Sequence, residues 1–311
     1  MEQLEINLSQ SAFGYHGCIL ELYRTVVQGY YEVPSSNIVY GEAVHKYRHI
    51  MFQTGGHIPT AREEAIKTFN QEKLPAGSKS QHLGDQRHMI TTAFNFWEMF
   101  VKADEDTEYV LLDGKPATEV SFSIPYYEDE WIKVNLCGTL DGIAKIKGGC
   151  YIINDIKTTS AWDRPNFFAG FKMSRQLRFY RLSLQLMAER FPDSILGQIG
   201  KTNVGCRIDG VFIKPAPIEN VYMSSDVFQI SQDDLAEFRM ILDRRIVELS
   251  KCVQENLFPK EGVLNNSCIG KWGMCKFSDV CNASSKEVAE ILLKRNFKVR
   301  KFDPLNYRGD V

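Results

Sequence analysis

Apolar residues along this chain follow a helical period first, then a strand period, then a helical one again. Phe13, Ile19, Leu20, Leu22, Tyr23 and Val26 predict a helix or helical hairpin over residues 11–31. Residues 38–53 continue at helical spacing, and TGGHIPT at 54–60 predicts a loop through its glycines and proline. Helices are expected again over 61–72 and 86–103, separated by the polar stretch KLPAGSKSQHLGD. The character changes at Thr118. EVSFSIPYY, WIKVNLCGTLDGIAKI and CYIINDIKTT are rich in β-branched and aromatic residues and broken by turn signals, which predicts consecutive strands. A helix over 173–192, a strand in VGCRIDGVFIKP (204–215) and a long helix over 231–256 follow.

A central sheet with helices before and after it predicts an α/β or α+β fold. No repeat or clear linker interrupts the chain, so a single elaborated domain over 1–311 is expected. Its parts are a mainly helical 1–117, a sheet core at 118–230, a helix and cysteine segment at 231–285 and a basic tail at 286–311. Composition narrows the class further. With 44% hydrophobic and 24% charged residues the chain can bury a core, which excludes disorder, collagen and coiled coil for its bulk. No apolar run is long enough to span a membrane, and the start MEQLEINLSQ lacks the pattern of a secretory signal. A cytoplasmic protein is expected. The net charge of −2 gives no global attraction for nucleic acid, so any such binding must come from local patches. Lys294, Arg295, Lys298, Arg300 and Lys301 in the tail are one such patch, or else a mobile solvated end.

The stretch from Gly138 to Thr159 carries the chemistry. Lys147-Gly148-Gly149 interrupts two strand-like runs as a hairpin turn does. A hairpin centred on Gly148 puts Asp141 opposite Asp155 and Thr139 opposite Lys157, with Asp155 and Lys157 on one face. Two facing carboxylates repel unless a counter-charge joins them. Lys157 supplies one, and a hard divalent cation supplies more. The alternative is a solvated hairpin with a weak surface ion pair. YIINDIKT is too apolar for that, and charged residues inside such strands are rarely incidental.

Gly138-Thr139-Leu140-Asp141 followed by Ile153-Asn154-Asp155-Ile156-Lys157-Thr158 resembles the second and third motifs of the PD-(D/E)XK nuclease superfamily, in its RecB-like branch. The resemblance implies a restriction-endonuclease-like core, a mixed central sheet flanked by helices. It implies that Asp141, Asp155 and the main-chain carbonyl of Ile156 bind Mg²⁺ or Mn²⁺, and that Lys157 positions the attacking water. Gln176 and Tyr180 match that branch's Gln and Tyr one helical turn apart, and Gly41-Glu42-Ala43-Val44-His45 resembles its first motif, with His45 a metal ligand. A His45–His49 pair would suggest zinc instead. Glu119 occupies an acidic position before the second motif, as a supporting acid or a plain strand start, and Arg175, Arg178 and Arg181 are candidate phosphate contacts. The implied activity is a Mg²⁺- or Mn²⁺-dependent deoxyribonuclease, an exonuclease acting on single-stranded or duplex DNA ends in repair, recombination or phage replication, with replication or recombination proteins as partners. A DNA-binding scaffold that kept the fold without catalysis is the competing expectation; an RNA-directed nuclease lacks an aromatic reading motif.

Cys268, Cys275 and Cys281 fall within fourteen residues, and Cys18 stands alone near the front. Together they resemble the iron–sulfur subset of RecB-like nucleases, which implies a structural [4Fe-4S] cluster. Six residues separate Cys268 from Cys275, with Trp272 where that subset usually has its second cysteine. Zinc and reduced thiols stay open as alternatives. Cys137, Cys150, Cys206 and Cys252 are expected as small buried thiols.

Overall fold

Gly148 and Gly149 take φ of 100° and 124°, left-handed values that glycine adopts without steric cost. They reverse the chain between its two most informative strands. The computed structural model describes residues 3–14, 18–32, 36–68, 94–100, 104–159, 163–212, 221–261, 268–270, 273–300 and 305. The polar stretch before residue 86, the first part of the helix expected over 86–103, Lys301 and Trp272 lie outside them. In chain order the strands used below are β1 (Leu4–Ser9), β2 (Thr107–Tyr109), β3 (Thr118–Glu128), β4 (Ile132–Ile146), β5 (Tyr151–Thr159), β6 (Gly205–Phe212) and β7 (Tyr222–Ser224). The helices are α1 (Ile19–Val26), α2 (Ser36–Gln53), α3 (Ile58–Thr68), α4 (Arg175–Arg190), α5 (Gln232–Glu255) and α6 (Lys286–Asn296). The chain is α/β. Its mixed sheet runs in the order β1-β4-β5-β6-β7, with β2 and β3 also paired to β4. Contacts gather the chain into two compact units, each built from separated stretches.

The first unit holds Met1–Val33, Ser121–Gly138 and Gln232–Asp310. It opens on a strand ahead of its first helices. LEINLS alternates apolar and polar residues at the strand period, and β1 lies parallel to β4 with Leu4 through Ser9 facing Ile132 through Cys137. Ile6 and Leu8 are buried from the same face. On α5, Leu235, Phe238, Leu242, Ile246 and Leu249 recur three or four apart and form its buried stripe. The basic tail is pinned through Arg300. Lys298–Val299 pairs with Tyr30–Tyr31, and the Arg300 guanidinium lies 4.6 Å from the Tyr31 ring centroid.

The second unit holds Pro34–Val120 and Thr139–Ser231. The β4–β5 hairpin pairs Ile143 with Ile153, Ala144 with Ile152 and Lys145 with Tyr151, the register expected for a turn at Gly148. β5 then runs parallel to β6 from Ile152–Gly205 to Thr159–Phe212. Strands covered on both faces are buried along their length, as β6 is, and its two charged residues, Arg207 and Asp209, are accommodated by ion pairing. Val39, Tyr40, Ala43, Val44, Tyr47 and Met51 form the apolar face of α2 and pack with Ala61 and Ala65 of α3 against Ile152 and Ile156. Side chains alternate along a strand, so Asp155 and Lys157 occupy the opposite face. α4 begins at Ser174, whose hydroxyl accepts the Leu177 amide at 3.4 Å. Among the described residues no helix is long and apolar enough to cross a membrane.

Ile152 is fully buried between these layers, so Ile152→Ala is expected to cost about 2–5 kcal/mol. Ile38 is 53% exposed on α2, and Ile38→Ala should stay within about 0.5 kcal/mol. Urea unfolding midpoints measured at unchanged slope check both.

Candidate metal centre

The buried stripe of α2 fixes the helix and leaves His45 at its edge, with a side chain 14% exposed. His45 Nδ1 lies 3.1 Å from Glu119 Oε1 and 3.5 Å from Asp141 Oδ1. Adjacent ligands of an octahedral ion with bonds of about 2.1 Å stand about 3 Å apart, so three donors already sit near the spacing one cation requires. Glu119 reaches this place through unusual backbone. Its φ is 55°, a left-handed value for a residue with a Cβ, which costs about 1–2 kcal/mol. Strain of that kind persists where the surroundings hold it, and it concentrates at functional sites.

Asp141 and Asp155 sit in the sheet interior, 3% and 1% exposed. Burial opposes the charge on Asp141, but His45, Lys157, the Ile156 amide and Arg48 together hold its carboxyl below the ordinary range. The Ile156 amide donates to Asp141 Oδ2 at 2.9 Å. Asp155 differs. Burial pushes its carboxyl up to about 6, with Lys157 pulling against the rise and the Asp141 charge adding to it. Lys157 Nζ pairs with Asp155 Oδ2 at 2.5 Å, whereas Oδ1 accepts no hydrogen bond among the described residues. Burial also opposes the Lys157 charge, yet the two aspartates hold its ammonium above the usual lysine range. The Ile156 carbonyl accepts a hydrogen bond from Lys157 Nζ at 3.4 Å.

Gln176 Nε2 donates to the Tyr180 hydroxyl at 3.1 Å across one turn of α4. Burial, and then the charges of Asp141 and Asp155, push the Tyr180 phenol well above its ordinary range, so it stays protonated beside them. The His45 imidazole and the Glu119 and Asp141 carboxylates bring their ligand atoms within 4.8 Å of one another, a donor set that fits a divalent cation of the Mg²⁺ or Mn²⁺ type, whereas Asp155 stands outside that group. His49 stands apart, with Nδ1 2.8 Å from Thr118 Oγ1, so the histidine pair suggested by sequence does not form a common site. Arg181 is a correction as well. It is 3% exposed and lies against Cys206, where no phosphate reaches it, because its position on α4 faces the sheet. Arg178 donates to the Lys172 and Ser174 carbonyls at the start of α4, and Arg175 is exposed.

The four candidate cluster cysteines all belong to the first unit. Cys275 is buried with Phe277, Val280 and Phe297, and Cys268 and Cys281 pack against that group. The Cys275 amide donates to the Cys268 carbonyl at 2.7 Å across the short Ile269–Gly270 and Gly273–Met274 hairpin. Arg24 Nη1 approaches Cys281 Sγ at 3.2 Å. Burial, followed by the proximity of Cys18 and Cys281, raises the Cys268 thiol, and burial pushes Cys275 up to about 11. Cys18 lies near enough to Cys268 to influence its thiol, but among the described residues the cysteines do not gather at common metal-ligand distance. Cys137, Cys206 and Cys252 are buried and Cys150 half-buried.

Sequence reasoning missed a polar network beneath the second unit's sheet. Arg48 meets Tyr109 and Asn154, while Arg207 pairs with Asp104 at 2.7 Å and approaches Asp209 at 3.4 Å. Asn154 and Arg207 face each other in the β5–β6 register. The available signal was polar residues at inward positions of apolar strands.

No family model matches the chain, and no curated protein matches it. Among solved structures it is similar to one described as "Crystal structure of SSO0001", at 14% identity over 67% of this chain and 73% of that chain. The TM-score is 0.27, too low to carry an argument about fold or function.

The backbone of Glu119 allows a sharp test. Glu119→Gly is expected to raise unfolding stability by about 1 kcal/mol through relief of the left-handed strain. The same change should weaken Mn²⁺ binding, measured by calorimetry. A variant that loses stability and keeps its affinity contradicts the placement.

Proposed function

We propose that this chain is a metal-dependent DNA nuclease with a restriction-endonuclease-like core, an exonuclease acting on DNA ends. The observation that carries the reading is a buried Asp155 carboxylate with Lys157 at 2.5 Å, beside Asp141 and its His45 and Glu119 neighbours. His45, Glu119, Asp141, Asp155 and the Ile156 carbonyl are the groups that would hold Mg²⁺ or Mn²⁺. A bound divalent ion supplies a water of lowered pKa and stabilises charge on a phosphate. Lys157 keeps its ammonium charged between the aspartates and offers a proton donor and a positive charge where a phosphodiester gathers negative charge. Tyr180 keeps its proton and, with the Gln176 amide, orients groups on the α4 side. Arg175 at the exposed start of α4 offers a phosphate contact. Cys18, Cys268, Cys275 and Cys281 are the proposed ligands of a structural iron–sulfur cluster in the first unit, where Cys268 and Cys281 pack against the group that buries Cys275.

End-labelled single- and double-stranded DNA with Mg²⁺ or Mn²⁺ tests the activity. Asp155→Ala and Lys157→Ala should each abolish cleavage while circular dichroism stays unchanged, and EDTA should abolish it in the parent protein. Full cleavage by either folded variant overturns the reading, and DNA binding without cleavage by the parent favours the scaffold. Anaerobically purified protein should be brown, with the colour lost in Cys275→Ala. A colourless protein carrying stoichiometric zinc or no metal removes the cluster.

A further inference from the structure

Arg48 lies one turn after His45 on α2 and is 1% exposed. Its Nη1 donates to the main-chain carbonyl of Asp141 at 3.1 Å, and its Nη2 to Asn154 Oδ1 at 2.7 Å and to the Tyr109 hydroxyl. That hydroxyl donates in turn to Asn154 Oδ1 at 3.2 Å. The guanidinium also lies over the Tyr109 and Phe52 rings, 5.2 Å and 5.7 Å from their centroids. Removing a guanidinium from water is costly, and an apolar side chain would fill the same volume more cheaply.

Its bonds fall at a particular place. The paired residues of the β4–β5 hairpin run from Lys145–Tyr151 to Ile143–Ile153. Beyond them, Arg48 ties the Asp141 carbonyl to the Asn154 side chain, and the Asp141 carboxylate takes the Ile156 amide. The two bridges bracket Asp155. The sequence also leaves room for the arginine. A Cβ on Gly142 would fall 2.7 Å from Tyr109 Cε1 and 3.0 Å from Arg48 Nη2, so glycine is what lets both side chains approach the strand.

We propose that Arg48 is a positioning residue that fixes the spacing of Asp141 and Asp155 from the α2 side of the sheet, so that both carboxylates meet one cation. The inference rests on the metal-dependent reading above. One helix then serves Asp141 twice, with His45 at its carboxylate and Arg48 at its backbone. Arg48 touches neither substrate nor metal. It holds the strands that carry the ligands, and outer partners of that kind commonly alter metal affinity by about 10–100-fold.

The test measures Mn²⁺ affinity of the full chain by calorimetry, with circular dichroism and urea midpoints reporting the folded state. Arg48→Lys, which keeps the charge but loses the fork, should bind Mn²⁺ at least about tenfold more weakly. Asn154→Ala and Gly142→Ala should do the same without removing the arginine, and kcat on DNA should fall with KM unchanged. Arg181→Met is the control, because that buried arginine lies against Cys206; it should keep Mn²⁺ affinity with stability unchanged or raised. Folded Arg48→Lys and Asn154→Ala variants with parental affinity overturn the inference alone, as does an Arg181→Met variant that loses affinity equally. A parent chain that binds no Mn²⁺ brings down the proposed function together with it.

Discussion

Two like charges buried in one sheet are the constraint that orders the rest of the second unit. Asp141 and Asp155 raise each other's energy, and burial adds to that cost. Replacing either by an apolar residue would relieve the repulsion, so a chain that keeps both spends stability on an arrangement that a cation would satisfy. The surrounding groups divide the compensation unequally. Asp141 receives an amide, an imidazole and two nearby cations, and stays ionised. Asp155 receives Lys157 on one oxygen and is pushed toward its neutral form. Such a pair, with unlike environments for like groups, marks functional sites more often than structural ones.

The layers on either side follow from that constraint. β5 must be apolar at Ile152, Ile153 and Ile156 to anchor charged residues at alternate positions without admitting water. α2 brings an apolar stripe to one face together with two polar residues at its margin, His45 and Arg48. α4 brings Tyr180 to the other face, already protonated and hydrogen-bonded to Gln176. The left-handed backbone of Glu119 adds a further carboxylate where β3 begins.

Much of this centre was legible, for physical reasons that differ by residue. Paired glycines tolerate the left-handed turn, so Gly148-Gly149 fixed the hairpin register before any coordinates. A charged residue in a buried strand stands out against its neighbours, so Asp155 and Lys157 were visible. His45 was not distinguishable from His49 by pattern; both lie on α2 one turn apart, and the resemblance alone separated them. Arg48 and Arg181 were hidden by a rule that is right for most arginines, that a helical guanidinium faces solvent. Both break it because buried acceptors, or a packed strand, lie beneath them. Glu119 needed a backbone angle that no side-chain pattern announces. The β1 strand is the opposite case: its alternation is plain in LEINLS, but a short strand ahead of a helical segment was absorbed into the helical reading.

The cysteine segment obeys a separate logic within the first unit. Cys18 opens α1 and Cys268, Cys275 and Cys281 follow a span of some 250 residues, so any group ligated by all four closes a very long loop. The structure already closes it by other means. The Ile19 amide donates to Glu261 at 3.1 Å, Arg24 reaches Cys281, and Lys298–Val299 pairs with Tyr30–Tyr31. A cluster bound there would reinforce an existing closure and need not create it. The energy it adds to folding is then smaller than for a small metal domain that has no structure without its ion. Its larger effect would fall on the hairpin between Cys268 and Cys275, whose two strands are only two residues long and bury little of their own.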